Sequence, residues 1–334
     1  MTTPLIAVYG AYGHTGRLVA AELRSRNQNA VLAGRDAEAL RRMGAELGYP
    51  VFPAAVDDPA ALRDLAQQAD VLIHCAGPFS VTGGPLATAA VETGCHYVDH
   101  AVESHHVRHL FEEYDGPAQE AGIAMVPGMS FYGGLGDLLA ATVSEGLHGI
   151  ERLTTAYAVN GWRMTTGAKA TAAQLFAETE RITFTDGEFH IGYVEPRNVV
   201  YPFPPPIGPR TMIAPFPSCE IVMIPRHVPA RTVEALLTAE TFTEEQVFVS
   251  EHVGPDERAR SRFTVAAQAI AAHGSRAAHL TGTDLWRAGA LASVEGALRL
   301  LEVPAKTGVL SPAEAFAPEP LLRTLERLGA FTIG

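Results

Sequence analysis

Short apolar runs alternate with amphipathic stretches over the first 127 or so residues. LIAVYG (5–10), NAVLAG (29–34), VFPAAV (51–56), ADVLIHCAG (69–77), HYVD (96–99) and IAMVPG (123–128) read as strands. Between them, TGRLVAAELRSR places Leu18, Val19 and Leu23 on one helical face, and DAEALRRMGAEL starts at a capping residue, Asp36. DPAALRDLAQQ has Pro59 near its first helical position. PLATAAVETG and a stretch from Ser104 to about Tyr114 complete the helical set. Strands separated by helices of this length need crossover connections, so the pattern predicts an α/β fold with a doubly wound parallel sheet.

After about residue 150 the texture changes. LTTAYAV, RITF and EFHIG around the Asp186-Gly187 turn, CEIVMI, and the pair FTVAAQAIAA and AAHLTG around His273-Gly274-Ser275 read as strands joined by turns. YPFPPPIGPR (201–210) is too proline-rich for an interior strand or helix and reads as a rigid surface connection. TDLWRAGALASVEGALRLLEV (283–303) is a long helical pattern ending near Pro304, with an apolar face wide enough to pack back on the first part of the chain. With 334 residues the chain exceeds one typical core. The division expected is 1–130, with 283–334 packing back on it, and a second α+β domain at 131–282 built on a mixed, largely antiparallel sheet.

Composition narrows the partners. Lys and Arg number 25 against 37 Asp and Glu, a formal charge of −12, which disfavours nucleic acid and anionic membranes as partners. No apolar stretch reaches the roughly 20 residues of a membrane span. Cys75, Cys95 and Cys219 form neither a disulfide framework nor a zinc knuckle, which fits a reducing cytoplasm. His105, His106 and His109 on one helix lack the companions of a zinc site, so no metal is expected.

The first strand runs into three glycines spaced three apart, Gly10, Gly13 and Gly16, just before the first helix. A helix N-terminus offers unpaired N–H groups and the positive end of its dipole to a diphosphate. Gly10 permits the tight turn, Gly13 lets backbone meet phosphate, and Gly16 lets helix pack on strand. Tyr12, His14 and Thr15 between them complete the expected cradle. That context makes this a Rossmann dinucleotide-binding domain. At the tip of the second strand, Gly34-Arg35-Asp36 places an arginine where a 2′-phosphate needs one, with Asp36 better explained as a helix cap, so NADP is expected over NAD. HCAGPF brings Ala76, Gly77, Pro78 and Phe79 to the carboxyl end of the fourth strand, along the path to the nicotinamide. Asp57, after the third strand, is a weaker candidate for the adenine end, since DDP also reads as a cap.

GAYGHTGR, LAGRD, HCAGPF, GCHYVDHAVE and PGMSFYGGLGDLLA, in this order and spacing, resemble the saccharopine dehydrogenase-like oxidoreductases, including short trans-acting enoyl reductases. The likeness continues through TTGAKATAAQLF, IPRHVPAR and GTDLW to TGVLSPAEAF. It implies NAD(P)H-dependent reduction of a C=C or C=N bond in a small molecule. The sequence departs from the family at His100-Ala101-Val102 and at Tyr132-Gly133-Gly134, near the expected nicotinamide. It also shows no set of basic groups for the two carboxylates of saccharopine.

Hydride transfer needs the acceptor held, its developing charge stabilised and a proton delivered. Tyr132, past the last Rossmann strand, either donates through its hydroxyl or packs beneath the junction. Asp99 and Glu103 bracket the end of the fifth strand, to orient a protonated amine or to cap the next helix. His227, beside Arg226, offers a proton donor at an anion site or a solvated turn. An amino-acid dehydrogenase of the lysine-pathway kind and a non-catalytic NADPH sensor are the competing readings. A homodimer is expected from apolar sheet surface in the second domain.

Overall fold

The computed structural model describes residues 3–161, 163–177, 180–243, 254–302 and 306–334. Six strands in the first part, β1 (Ile6–Tyr9), β2 (Ala30–Gly34), β3 (Val51–Pro53), β4 (Val71–His74), β5 (His96–Asp99) and β6 (Ala124–Val126), pair in parallel. Every residue of β1, β2 and β4 is buried, as strands covered on both faces require. Tyr9 is in register with Ala33 of β2 and His74 of β4, so the loops after β1 and β4 leave the sheet side by side.

The helices between them are set by local chemistry. α1 (His14–Ser25) buries Gly16, Val19, Ala20 and Leu23. α2 (Ala37–Leu47) is capped by the Asp36 carboxylate, which accepts from the N–H groups of Glu38 and Ala39, and it stops at Gly48 in the left-handed conformation. Asp58 caps α3 (Pro59–Gln67), with Pro59 in its first turn. α4 (Phe79–Thr93) and α5 (Ser104–Glu113) follow β4 and β5, and α6 (Asp115–Glu120) leads to β6.

The second sheet comprises β7 (Ile150–Asn160), β8 (Arg181–Thr185), β9 (Glu188–Gly192), β10 (Arg197–Pro202), β11 (Pro209–Ala214), β12 (Ala230–Thr238), β13 (Arg262–Ala271), β14 (Gly274–Thr283) and, last in the chain, β16 (Thr332–Ile333). β12 runs parallel to β7 and the other pairings are antiparallel, with the hairpins β8–β9 and β13–β14 at the expected turns. β15 (Gly308–Val309) returns to the first sheet beside β6. The final order there is β15-β6-β5-β4-β1-β2-β3. The helix Leu285–Glu302 lies against α1, β4 and β5, while α7 (Gly134–Ser144) packs on β7, β13 and β14. One apolar cluster joins the two sheets, from Ile6 and Ile73 through Leu138 and Leu291 to Leu153 and Val265.

Three expectations need comment. CEIVMI is not a strand: Glu220–Met223 form one helical turn followed by a 3₁₀ turn, Ile224–Arg226. All four residues of that turn are buried, so the segment shows no helical period to read. The proline-rich connection is the loop of an edge hairpin, β10–β11, as its prolines demand, but Tyr201 and Phe203 anchor it in a small core of their own. Pro304, the expected stop of the long helix, lies outside the described residues.

Candidate active site

A cavity of about 810 Å³ opens along the carboxyl ends of the first sheet. At one end lies the loop from β1 to α1. Gly10 has φ +78°, and a Cβ there would sit 2.7 Å from the Ala76 Cβ, because the loops after β1 and β4 run in contact. A Cβ on Gly16 would lie 2.3 Å from the carbonyl oxygen of Gly10 and 2.7 Å from the Cα of Ala11. Gly13 is the N-cap of α1 and brings no side chain to cap it. The loop is therefore folded as tightly as only glycine permits, with backbone alone toward the cavity at the start of α1. That is the cradle a diphosphate requires, and the residues present fit a dinucleotide.

Gly10, Tyr12, Gly13, His14 and Thr15 all line the cavity, whereas Gly16 lies behind the loop. Arg35, exposed at the tip of β2, also lines it and makes no hydrogen bond or ion pair among the described residues. The adjacent Asp36 carboxylate is engaged at the start of α2. Tyr12 lies on Gly34, whose absent Cβ would be 2.8 Å from the ring, and accepts from the N–H of Asp36. Ala76, Gly77, Pro78 and Phe79 form the middle of the wall. Asp57 does not reach the cavity; its neighbour Val56 does.

Opposite the β4–α4 turn lies α8 (Thr166–Ala177), whose Thr171 closes to 3.1 Å from where a Gly77 Cβ would be. Ser80 and Gln174 exchange hydrogen bonds of 2.9 and 2.6 Å across the cleft.

The four expected catalytic residues separate. Asp99 is fully buried beneath the floor and does not line the cavity. Its carboxylate accepts from the N–H groups of Ala101 (2.9 Å) and Gly128 (2.7 Å) and from the Tyr97 hydroxyl (3.0 Å), and pairs with His106 Nε2 at 3.3 Å. Burial alone would raise its pKa, but His106 and the two backbone N–H groups outweigh that and hold it below the usual carboxylate range. Gly83 makes room for this pair, since a Cβ there would strike the His106 ring at 2.0 Å.

Glu103 does line the cavity, yet its carboxylate accepts from the N–H of Phe79 at 3.0 Å and of Val102 at 3.0 Å. It thus caps α4 rather than the helix that it precedes, and burial pushes its pKa up. Its backbone bridges to Ser218 of the second half. His227 lies away from the cavity with Nε2 2.6 Å from Asp137, whose other oxygen accepts from the N–H of Ala313. Burial disfavours its charged form, but Asp137 more than compensates and its pKa is raised. Arg226 pairs with Glu314 and stacks over Phe111, 4.0 Å from the ring centroid. Both side chains of IPRHVPAR thereby hold the C-terminal segment.

Tyr132 lines the cavity among the rings of Phe131, Tyr157 and Phe216. Its hydroxyl has no hydrogen-bond partner, and burial, with the nearby Glu220, raises its pKa. Glu220 is itself fully buried, accepting from the hydroxyls of Tyr157 and Ser218. His100 was noted in the sequence only as a departure from the family. It lines the cavity, with Nδ1 3.0 Å from Ser130 Oγ and Nε2 without a partner. Its position directly after β5 was the available signal, because ligands in such sheets gather at strand carboxyl ends. The three histidines of α5 go separate ways: His105 to the carbonyl of Glu180, His106 to Asp99, His109 against Tyr114.

Residues 6–126 match the family model of the saccharopine dehydrogenase NADP binding domain. This part of the chain is similar to that domain. Relatives of the saccharopine dehydrogenase-type domain include a trans-acting enoyl reductase of Mycobacterium ulcerans, 32% identical over 133 residues, which are 38% of this chain and 32% of that one. A saccharopine dehydrogenase-like oxidoreductase of Bos taurus is 28% identical over 145 residues, 38% of this chain and 34% of the other. The chain thus spans about a third of the length of the curated relatives it matches. The apo saccharopine dehydrogenase (L-Glu forming) of Saccharomyces cerevisiae shares the fold over 99% of both chains, with a TM-score of 0.69 at 13% identity. The likeness to that structure includes the second sheet as well as the first. Among the described residues no helix is long and apolar enough to cross a membrane.

Proposed function

We propose that the chain is an NADPH-dependent oxidoreductase that reduces a C=C or C=N bond of a small molecule. The observation that carries this reading is the continuity of one cavity from the glycine loop, past Arg35 and Gly77, to Tyr132 and His100. A reduced nicotinamide, when bound, supplies a hydride to carbon, and one proton completes the two-electron reduction. The chain's own groups divide the remaining work. The backbone at Gly13 would hold the diphosphate and Arg35 would pair with a 2′-phosphate, while Glu103 fixes the β4–α4 turn by capping Phe79. α8, which faces the β4–α4 turn through Thr171 and Gln174, would flank the reacting end. Tyr132 is the side chain we assign as proton donor, because it lines the cavity and its hydroxyl has no hydrogen-bond partner in the protein.

We further assign residues 131–282 as the substrate-binding domain, cytoplasmic action to the reduced thiols, and a homodimer to the exposed Ile191, Tyr193 and Val200 of the β9–β10 region. Calorimetry with NADPH, followed by NADPH absorbance on a panel of enones and imines, tests the enzyme. Uptake of neither pyridine nucleotide rules the reading out. Light scattering tests the dimer.

A further inference from the structure

Charge is distributed unevenly along the cavity. Among the described lining residues, Arg17, Arg35 and Glu103 are the side chains with formal charge. Arg17 lies in α1 and Arg35 at the tip of β2, both at the dinucleotide end, while the Glu103 carboxylate is taken by two backbone N–H groups. Beyond the dinucleotide end the lining is mainly apolar, with Met164, Leu175, Phe216 and Leu237, and it also carries uncharged hydroxyls such as those of Thr165, Thr171 and Thr241. A carboxylate brought there would lose its hydration and meet no cation in exchange, which is strongly unfavourable.

That apolar wall nevertheless contains polar atoms in need of a partner, His100 Nε2 and Tyr132 Oη. Buried polar groups in native proteins are paired in the great majority of cases, so an unpaired one in a cavity wall points to a ligand atom. The His100 ring is held through Nδ1 by Ser130. It is neutral near pH 7, because burial pushes its pKa down to about 4 against the smaller opposing pull of Asp99. In the tautomer in which Nδ1 accepts from the Ser130 hydroxyl, the neutral ring carries its proton on Nε2 and can donate to an acceptor oxygen.

Resting on the NADPH-dependent reading above, we propose that the far end takes a neutral, apolar substrate whose carbonyl oxygen is held by His100 Nε2, so that a hydrogen bond rather than an ion pair selects it. Dicarboxylates and amino acids are then rejected.

The test uses the full chain saturated with NADP+ and titrates three stable ligands by calorimetry: 2-octanone, octanoate and glutarate. The ketone is expected to bind at least about tenfold more tightly than octanoate, with no heat from glutarate. His100→Ala is expected to weaken 2-octanone about tenfold while leaving NADP+ affinity unchanged, and His100→Gln, which keeps an N–H donor, to restore most of it. Equal or tighter binding of octanoate by the unmodified chain overturns the inference, as does an unchanged ketone affinity in His100→Ala or a failure of His100→Gln to rescue. Failure of the unmodified chain to bind NADP+ overturns the underlying reading instead; NADP+ uptake with a preference for carboxylates sinks the substrate assignment alone.

Discussion

The two ends of the cavity are built in opposite ways. At the dinucleotide end, seven consecutive residues, 10–16, form the cradle, where a Cβ on Gly10 would strike Ala76 in the loop after β4 and one on Gly16 would strike Gly10 and Ala11. At the other end the wall is assembled from the turn after β4, the segment after β5, the loop after β6, α8 and the loop at Phe216, segments scattered along the chain between Cys75 and Pro217. A contiguous backbone cradle tolerates almost no change yet binds any dinucleotide. A wall gathered from separate segments can be altered one side chain at a time, and selectivity resides there.

The sharpest way to break this contrast is at Gly16. Gly16→Val forces a branched side chain onto the Gly10 carbonyl, and NADPH affinity is expected to fall at least about a hundredfold by calorimetry. Retention of affinity would mean that the cradle is not where the cofactor sits. Asp99→Ala is next: it strips a buried anion from His106, Tyr97 and two N–H groups and should lower unfolding free energy by about 3 kcal/mol in urea titrations. Arg35→Ala should raise the KM for NADPH about tenfold while leaving that for NADH in place, since a single charge-assisted contact is removed. An equal effect on both cofactors would refute the 2′-phosphate assignment.

On the substrate side, Tyr132→Phe is expected to lower kcat up to about tenfold with little change in NADPH binding, the modest end of a general-acid contribution. The smallest effect concerns His227, outside the cavity altogether. Its pKa is raised above 6.5 in the folded chain, so folding binds the extra proton and the gain is complete below that value. Stability should therefore decline as pH rises from 6.5 through the raised value. His227→Gln should flatten this slope without altering the KM for substrate; a changed KM would return His227 to the site.

The same contrast decides what the sequence discloses. The parallel sheet, the glycine cradle and the Asp36 cap are legible because the residues that make them are neighbours in the chain. Glu103 illustrates the limit: it stands at the N-cap position of α5, yet its carboxylate caps α4, twenty-four residues away. The carboxylates at 99 and 103 read either as groups that orient a substrate or as helix caps; Asp99 is buried beneath the cavity with its oxygens held by Tyr97, His106 and two N–H groups. Arg226 and His227 looked solvated or catalytic, and Asp137 and Glu314, distant in sequence, claimed them. His100 carried one signal, its place directly after β5, but its contact with Ser130, thirty residues on, was not legible in the chain. The helical turn at Glu220–Met223 was hidden by complete burial, which erases periodicity.

Glu103 also bears on redesign. Its side chain steadies the start of α4 while its main chain bridges to Ser218, so the two halves share one fixed point. Anyone transplanting a foreign selectivity module onto this cofactor scaffold should carry residues 99–103 and 216–220 together as a single cassette. A seam cut between them would misalign donor and recipient even if each half were sound.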